Sequence, residues 1–451
     1  MNLDDTIVAI STPPGRGGLG VVRLSGADAR QTAAPMLKLP RDLEAGRATF
    51  GELVEPGTGA RIDEVVVTFF QKPHSYTTDD VVEISAHGSP VVLRRIVELA
   101  LERGARLAEP GEFTMRAFLN GRIDLIQAEA VRDLIESQTL FQARVAAQQL
   151  EGALSKRIQP FKQKLVELIA LMEAGVDFAE DDVPVLASDI ILSRIAEVRQ
   201  GLADLQRSFA YGKLVHEGLT LAIVGRPNVG KSSLFNRLVE RERAIVTSTP
   251  GTTRDLVSET VAIGGIPVKL VDTAGIRKAL DEAESIGIRK SMEAIADADM
   301  VLVVLDASEP AHAEDEELLR QVEGRTALVV ANKIDLSKAA WSAKGVDSAV
   351  MTSASTGAGI EQLRAAILKR IGGEQGAQAE PGFLTNMRQA SLVTDSIRSL
   401  DAAETSARAL VPHEMILLDL YGALRHLDEI TGATTADDIL NLIFGSFCIG
   451  K

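Results

Sequence analysis

One stretch constrains the fold more than any other. Leu219 to Val224 is a short apolar run, Gly225-Arg226-Pro227-Asn228-Val229-Gly230-Lys231-Ser232 follows at once, and Ser233 to Val239 has helix-forming residue types. The loop fits G-x-x-x-x-G-K-[ST], which needs a strand before it and a helix after it. Short apolar runs recur downstream at Val268 to Asp272, Val301 to Asp306, Ala327 to Ala331 and Ala349 to Thr352. Helical stretches separate most of them, the βαβ rhythm of a mostly parallel sheet covered on both faces. The middle of the chain, residues 217–372, is therefore expected to be an α/β unit of the Ras-like P-loop kind. The polar run Gly372-Gly373-Glu374-Gln375-Gly376 reads as a flexible linker behind it.

The same loop carries a chemical expectation. Its glycines let backbone N–H groups close on phosphate, and the helix N-terminus adds partial positive charge. Asn228, Val229, Gly230, Lys231, Ser232 and Ser233 form the phosphate-binding set, with Lys231 reaching the β- and γ-phosphates and Ser232 on magnesium. Asp272-Thr273-Ala274-Gly275 follows a strand, which suits an Asp that holds magnesium through water and a Gly amide that meets the γ-phosphate. Upstream, Thr247-Ser248-Thr249-Pro250-Gly251-Thr252-Thr253 is rich in small and hydroxyl residues and suits a mobile switch, with Thr253 as the second magnesium-ligating hydroxyl. Asn332-Lys333-Ile334-Asp335 follows the run Ala327 to Ala331. The Asp335 carboxylate can accept two hydrogen bonds from guanine, a pair that adenine does not offer. Ser353-Ala354 supplies backbone to the guanine carbonyl. These four elements, in this order, select GTP over ATP.

Ile276 occupies the position where a Ras-like site has a water-orienting glutamine. Hydrolysis must then use another group or a partner. The run Asp281-Glu282-Ala283-Glu284 offers a carboxylate, and equally reads as a solvated helix N-terminus.

Around this unit the pattern differs. Residues 1–119 mix short β-rich runs (Thr6 to Ser11, Gly20 to Ser25, Glu64 to Phe70, Val81 to Ala86) with two helical stretches, an α+β domain. Apolar stripes at three- and four-residue steps, such as Ile191, Ile195, Val198, Leu202 and Leu205, mark residues 120–216 as helical. Leu417, Leu420, Leu424 and Leu427 do the same within 373–451. Pro160 and Pro184 are expected to kink or break their helices. A helical domain split by an inserted α/β unit is the reading preferred, with two separate helical domains as the alternative. An inserted unit must have its two ends close together.

Composition mostly excludes. The single cysteine, Cys448, rules out an internal disulfide and a multi-cysteine zinc site. A formal net charge of −15 argues against non-specific nucleic-acid binding, though not against a local basic patch. Apolar runs fall well short of the ~20 residues of a membrane helix, and Met1-Asn2-Leu3-Asp4-Asp5 is acidic where a signal peptide is basic. The expectation is a cytoplasmic protein with no membrane segment.

Three further stretches carry a resemblance over the whole length. They are Thr12-Pro13-Pro14-Gly15-Arg16-Gly17-Gly18 with Arg23 and Ser25-Gly26; Pro110-Gly111-Glu112-Phe113 followed by Arg116-Ala117-Phe118-Leu119-Asn120; and the terminal Phe447-Cys448-Ile449-Gly450-Lys451. With the Gly251-Thr252-Thr253-Arg254-Asp255 switch, they make the chain resemble the tRNA-modification GTPases known as MnmE or TrmE. The resemblance implies an N-terminal domain that binds a tetrahydrofolate derivative (5-formyl or methylene) and forms a homodimer. It implies a flavoprotein partner, MnmG or GidA, in a hetero-oligomer that adds an aminomethyl-type (carboxymethylaminomethyl) group at carbon 5 of the tRNA wobble uridine.

Carried over residue by residue, the resemblance puts folate on Arg23, Glu83, Arg122 and Lys451, with Arg122 standing where the familiar sequence has Lys. Cys448 matches a terminal cysteine proposed to act in the modification chemistry; a lone Cys is equally a small buried residue. The family's G domains dimerise transiently across the nucleotide face, with potassium in place of an arginine finger. Asn228, with oxygens of Thr247, Thr249 and Thr252, matches the potassium shell, and Glu284 matches the residue that positions the attacking water. Pro250 departs from the family's small residue at that place. Two other readings stay open: a GTP-dependent RNA-binding ribosome-assembly factor, and a folate-dependent aminomethyl transferase whose GTPase is merely regulatory.

Overall fold

A computed structural model describes residues 4–177, 186–240, 258–272, 297–337, 348–372, 381–433, 440 and 443–450. The chain divides into two compact units, Met1–Arg132 with Asp428–Lys451, and Asp133–Leu427. The expected α+β, helical and α/β parts are all present.

The first unit is built on one sheet. Its strands are β1 (Ile7–Ile10), β2 (Gly17–Ser25), β3 (Leu37–Lys38), β4 (Ala48–Val54), β5 (Arg61–Phe70), β6 (Val81–Gly88) and β7 (Arg106–Leu107), in the order β3-β4-β5-β6-β2-β1-β7. Side chains alternate across a strand. Val8, Val22, Leu24, Val82 and Ile84 therefore share one face, where they form a core with Leu93 and Ile96 of the helix Pro90–Leu101. The opposite face of the same strands presents Ala9, Arg23 and Glu83. Ala9 pairs with Arg23 between β1 and β2, and Arg23 pairs with Glu83 between β2 and β6.

The helix Glu112–Leu119 is fastened to this unit by a buried ionic network. Glu112 is fully buried and accepts from Arg106 at 2.7 Å and from Arg116 at 2.9 Å. Both arginines also reach Asp5. Burial alone would raise the Glu112 pKa, but Arg106, the Glu109 amide and Arg116 outweigh it and hold the carboxyl below its ordinary value. The Pro-Gly-Glu-Phe stretch is thus in large part a structural clasp. Gly111, at φ +68°, lies where an added Cβ would come within 2.5 Å of the Phe444 carbonyl, so the C-terminal segment packs directly on it.

In the second unit β8 (Leu219–Val224), β9 (Ser258–Ile263), β10 (Ile266–Asp272), β11 (Met300–Asp306), β12 (Ala327–Asn332) and β13 (Val350–Met351) form a sheet ordered β13-β12-β11-β8-β10-β9. Pairing is parallel except for the β9–β10 hairpin. All seven residues of β11 are buried, as expected of a central strand covered on both sides. Leu221, Ile223, Leu302 and Val304 pack on the helices Lys231–Val239 and Ile360–Arg370. Ala222, Val224, Val301, Val303 and Leu305 pack on the other side, with Val322.

Helices flank the sheet in sequence. Ser188–Arg207 packs against Met387–Arg408, and Gln206 Nε2 donates to Thr394 Oγ1 at 2.8 Å. Chain before and after the sheet thus belongs to one helical layer. The ends of the insert meet as well. Leu384 N donates to Ser208 Oγ at 3.3 Å, and Val215 and Phe383 share a small core. Of the two outcomes expected at Pro160, a kink or a break, the break does not occur: Pro160 lies inside the helix Ala153–Asp177, which continues past it. Leu154, Ile158, Leu165, Leu168 and Met172 are all buried on one stripe, and that packing outweighs the hydrogen bond lost at proline. Pro184 lies outside the described residues.

Candidate functional site

The loop after β8 folds as the sequence requires. Gly230 ends it at φ +95° and caps the helix Lys231–Val239. A Cβ there would come within 2.3 Å of Asn332 Nδ2, so only glycine fits this close approach. Asn228 also takes a positive φ, +64°, and its side chain is exposed beside exposed Ser232 and Ser233. Lys231 is buried, and its Nζ donates to the carbonyls of Gly225 at 2.9 Å and Arg226 at 2.7 Å. The amine is thus curled over the loop, within reach of an anion seated on the helix N-terminus. Arg226 braces the outer side, pairing with Asp315 at 2.7 Å and Glu309 at 3.0 Å.

Asn332 ties the site together in a way the sequence reading did not foresee. It is buried, its Nδ2 donates to the Val229 carbonyl at 3.0 Å, and its Oδ1 accepts from Ala354 N at 3.0 Å and Thr352 Oγ1 at 3.3 Å. One amide therefore fixes the phosphate loop against Ser353-Ala354. Arg237 adds a second strut from the loop's own helix, donating to the carbonyls of Ala354 at 3.0 Å and Ser355 at 2.7 Å. Lys333, at φ +65°, reaches back to Asp306 at 2.6 Å. Burial pushes the Asp306 pKa upward, but Lys333 and Ser308 outweigh it and keep the carboxyl below its ordinary value.

Asp335 is left exposed beside these groups, with Ser355 Oγ donating to it at 3.1 Å. The Ser353 hydroxyl, then Ser355, holds its pKa below the ordinary value, so it stays an anion able to accept from guanine. The backbone of Asp272 ends β10, which pairs with β8 and is separated from the central β11 by β8 alone. The Asp272 side chain lies outside the described residues. So do Thr247, Ser248, Thr249, Pro250, Gly251, Thr252, Thr253, Thr273, Ala274, Gly275, Ile276, Glu284 and Lys451.

In the first unit a second group of residues converges. Arg23 donates to Glu83 at 2.8 Å, its partner in register across the sheet. Its guanidinium lies 5.6 Å from the ring centre of Tyr76 and 5.5 Å from that of Phe113. Arg122 approaches the same Tyr76 ring at 5.3 Å and donates to the Ser75 carbonyl. Arg23, Glu83 and Arg122 were all expected here from the resemblance; Tyr76 and Phe113 were not. Burial raises the Tyr76 pKa, and its hydroxyl is paired with Thr114 at 2.9 Å. The C-terminal segment closes the group, since the Gly450 carbonyl accepts from Ser11 Oγ at 3.2 Å and from Arg23 at 3.4 Å. Cys448 is exposed and unbonded to another cysteine.

Two family models between them account for nearly the whole chain. The GTP-binding protein TrmE N-terminus matches residues 6–122, and the MnmE helical domain matches 125–448. The chain belongs to the MnmE (TrmE) family. A tRNA modification GTPase MnmE from Koribacter versatilis (strain Ellin345) is 67% identical over 455 residues, covering 100% of both chains. Another, from Aquifex aeolicus (strain VF5), is 43% identical and covers 99% of this chain and 100% of its own. A solved structure of an Era variant from Aquifex aeolicus bound to GDP and AlF4− matches 40% of this chain and 66% of that one, at 27% identity and a TM-score of 0.28. Membership rests on the family models and the full-length relatives. As a member of MnmE, the chain is a GTP-binding hydrolase of tRNA modification. Among the described residues, no helix is long and apolar enough to cross a membrane.

Proposed function

We propose that the chain is a potassium-stimulated GTPase that works with a flavin-containing partner to build an aminomethyl-type group at carbon 5 of the tRNA wobble uridine. A tetrahydrofolate derivative supplies the one-carbon unit. The observation that carries this reading is the convergence of Arg23 and Arg122 on the Tyr76 ring, with Glu83 and the Gly450 carbonyl both bound to Arg23. Two guanidiniums, a carboxylate and an aromatic face suit a flat, hydrogen-bonding ligand with an anionic tail. An assembly factor that only bound RNA would leave residues 6–122 without a task.

At the nucleotide site each group takes a distinct role. The backbone of Asn228 to Ser233 and the Lys231 amine hold the phosphates, and Asp335 with the Ser353-Ala354 backbone selects guanine. Ser232 and Thr253 would hold magnesium, with Asp272 behind them, and Asn228 with Thr247, Thr249 and Thr252 would hold potassium. Exposed Asn228 is compatible with a ligand shell completed when two nucleotide faces meet. Glu284 positions the attacking water in this scheme, and Cys448 serves the modification step. Residues 1–119 act as the folate-binding and dimerising domain, 120–216 with 373–451 as the helical domain, and 217–372 as the inserted G domain, in a cytoplasmic protein.

Turnover of GTP measured in potassium and then in sodium tests the central element. The rate is expected to fall several-fold in sodium, and Glu284→Ala to lose turnover at near-normal GTP affinity. Equal rates in the two salts would remove the potassium scheme.

A further inference from the structure

At one end of its helical layer the second unit exposes an apolar surface. The helices there pair antiparallel. Phe161 lies against Gly201 and Lys164 against Glu197; Gln206 bonds Thr394 and Arg199 bonds Asp401; Ser396 bonds the Ala423 carbonyl and Ser406 bonds Asp419. The C-terminal ends of Ala153–Asp177 and Met387–Arg408 and the N-terminal ends of Ser188–Arg207 and His413–Thr431 therefore lie together. At this end Leu410, Leu418 and Met415 are 77%, 68% and 56% exposed, and exposed Tyr421 follows one turn along. Leu171 and Ile190, near the same end of their own helices, are exposed too.

Two features mark this surface as more than scattered apolar residues. Leu410 has φ +51°, in the left-handed region that glycine favours. It closes the helix Met387–Arg408 in a Schellman turn, where Leu410 N donates to the Ala407 carbonyl at 3.3 Å and Val411 N to the Ser406 carbonyl at 3.3 Å. A leucine there strains the backbone, and a side chain so exposed gains no packing in this chain to offset it. In His413–Thr431, Ile416, Leu417 and Leu420 are buried, while Met415 and Leu418 stand on the opposite side. The helix is thus apolar on both faces over its first two turns, the pattern of a helix that becomes buried.

Charge decides what can cover it. From Leu165 to Ser193 the sequence holds seven acidic residues and no Lys or Arg; from Ala409 to Leu424 it holds Glu414 and Asp419, again with no Lys or Arg. Glu167, Asp189 and Glu414 are exposed. A second copy of this surface, an RNA backbone and an anionic membrane would all be repelled. We propose that this end of the helical layer docks a protein helix whose aliphatic face is flanked by Lys or Arg. The helix is presented by the flavin-containing partner of the proposed function, and the inference rests on that reading. Its apolar face lies along Leu410, Met415, Leu418 and Tyr421, and its cations face the acidic rim.

The test is biolayer interferometry of the full chain on the immobilised flavoprotein of the same organism. The wild-type chain should bind saturably, and Leu418→Asp should weaken binding about tenfold or more. Attraction by charge alone would instead tighten it, since that variant adds a negative charge facing a basic helix. Val91→Asp, at an exposed apolar position in the first unit, should leave binding unchanged. Leu410→Gly should weaken binding yet keep the melting temperature at or above that of the wild type, because glycine relieves the left-handed position. That variant separates lost docking from lost folding. No binding by the wild-type chain would remove the flavoprotein as partner, and with it both the reading and the inference. Wild-type binding left unchanged by Leu418→Asp and Leu410→Gly would overturn the inference alone. So would an equal loss in Val91→Asp, or a loss of tRNA binding or of dimerisation in Leu418→Asp, which would assign the surface to RNA or to a second copy.

Discussion

Gly225 to Ser232 and the Arg23 group are two ways to make a binding site. The first is a run of consecutive residues whose backbone sets the geometry, with Gly230 excluding any side chain at 2.3 Å from Asn332. The second is assembled from β2, the Tyr76 loop, β6 and the turn after Glu112–Leu119, and meets only because Arg23 and Glu83 face each other in register. A contiguous loop keeps its shape through local conformation. A dispersed cluster depends on every element that holds the sheet and its helices in place. The two sites should therefore fail differently when their supports are removed.

The largest separation is expected from the clasp beneath the dispersed site. Arg116→Met removes the buried one of the two arginines that hold Glu112 and Asp5 and leaves Arg106, at a cost of about 3 kcal/mol. Thermal unfolding of the first unit should shift down strongly while GTP affinity stays near normal. The pH profile sharpens this. Glu112 has a folded pKa below its ordinary 4.5, so the stability it confers is present above about pH 4.5 and is lost as pH falls through the folded value. Glu112→Gln should flatten that acid limb, as followed by circular dichroism; an unchanged limb would place the acid sensitivity elsewhere.

Asn332→Ala examines the contiguous site. It removes one donor and one acceptor that join Val229 to Ala354, a loss of about 1–3 kcal/mol. Because Asn332 braces the loop and the guanine segment together, GTP and GDP affinity should fall by similar factors in fluorescence titration. Loss of GTP binding alone would contradict a bracing role. The smallest effect belongs to Arg23→Met, which should weaken binding of 5-formyltetrahydrofolate by about tenfold in calorimetry and leave both nucleotide affinities unchanged.

The same contrast decides how much could be read from sequence. The phosphate loop, Asp335 and Ser353-Ala354 were legible because each motif lies in one piece behind a strand. The central strands were legible because burial on both faces leaves continuous apolar runs. β4 was not, because its inward positions include Thr49 and Gly51. Gly51 is small for a packing reason: a Cβ there would come within 2.7 Å of the Lys38 carbonyl. β9 was missed for lack of a continuous apolar run, and its antiparallel pairing follows from the Gly264-Gly265 turn at positive φ. Arg23, Glu83 and Arg122 came only from the family resemblance. Tyr76 and Phe113 carry no local signal for their role, which depends on tertiary placement. Glu112 and Arg116 belonged to a matched stretch, and their i,i+4 spacing was the one hint of the ion pair that forms.

The central claim is that the Arg23 group and the nucleotide loop serve one tRNA modification. Nucleoside analysis of tRNA from a strain lacking this gene, complemented with the wild-type chain, Lys231→Ala or Arg23→Met, tests it most directly. The wild-type chain should restore an aminomethyl-type uridine, and both variants should leave it strongly reduced. Full restoration by a stably folded Arg23→Met chain would contradict the account.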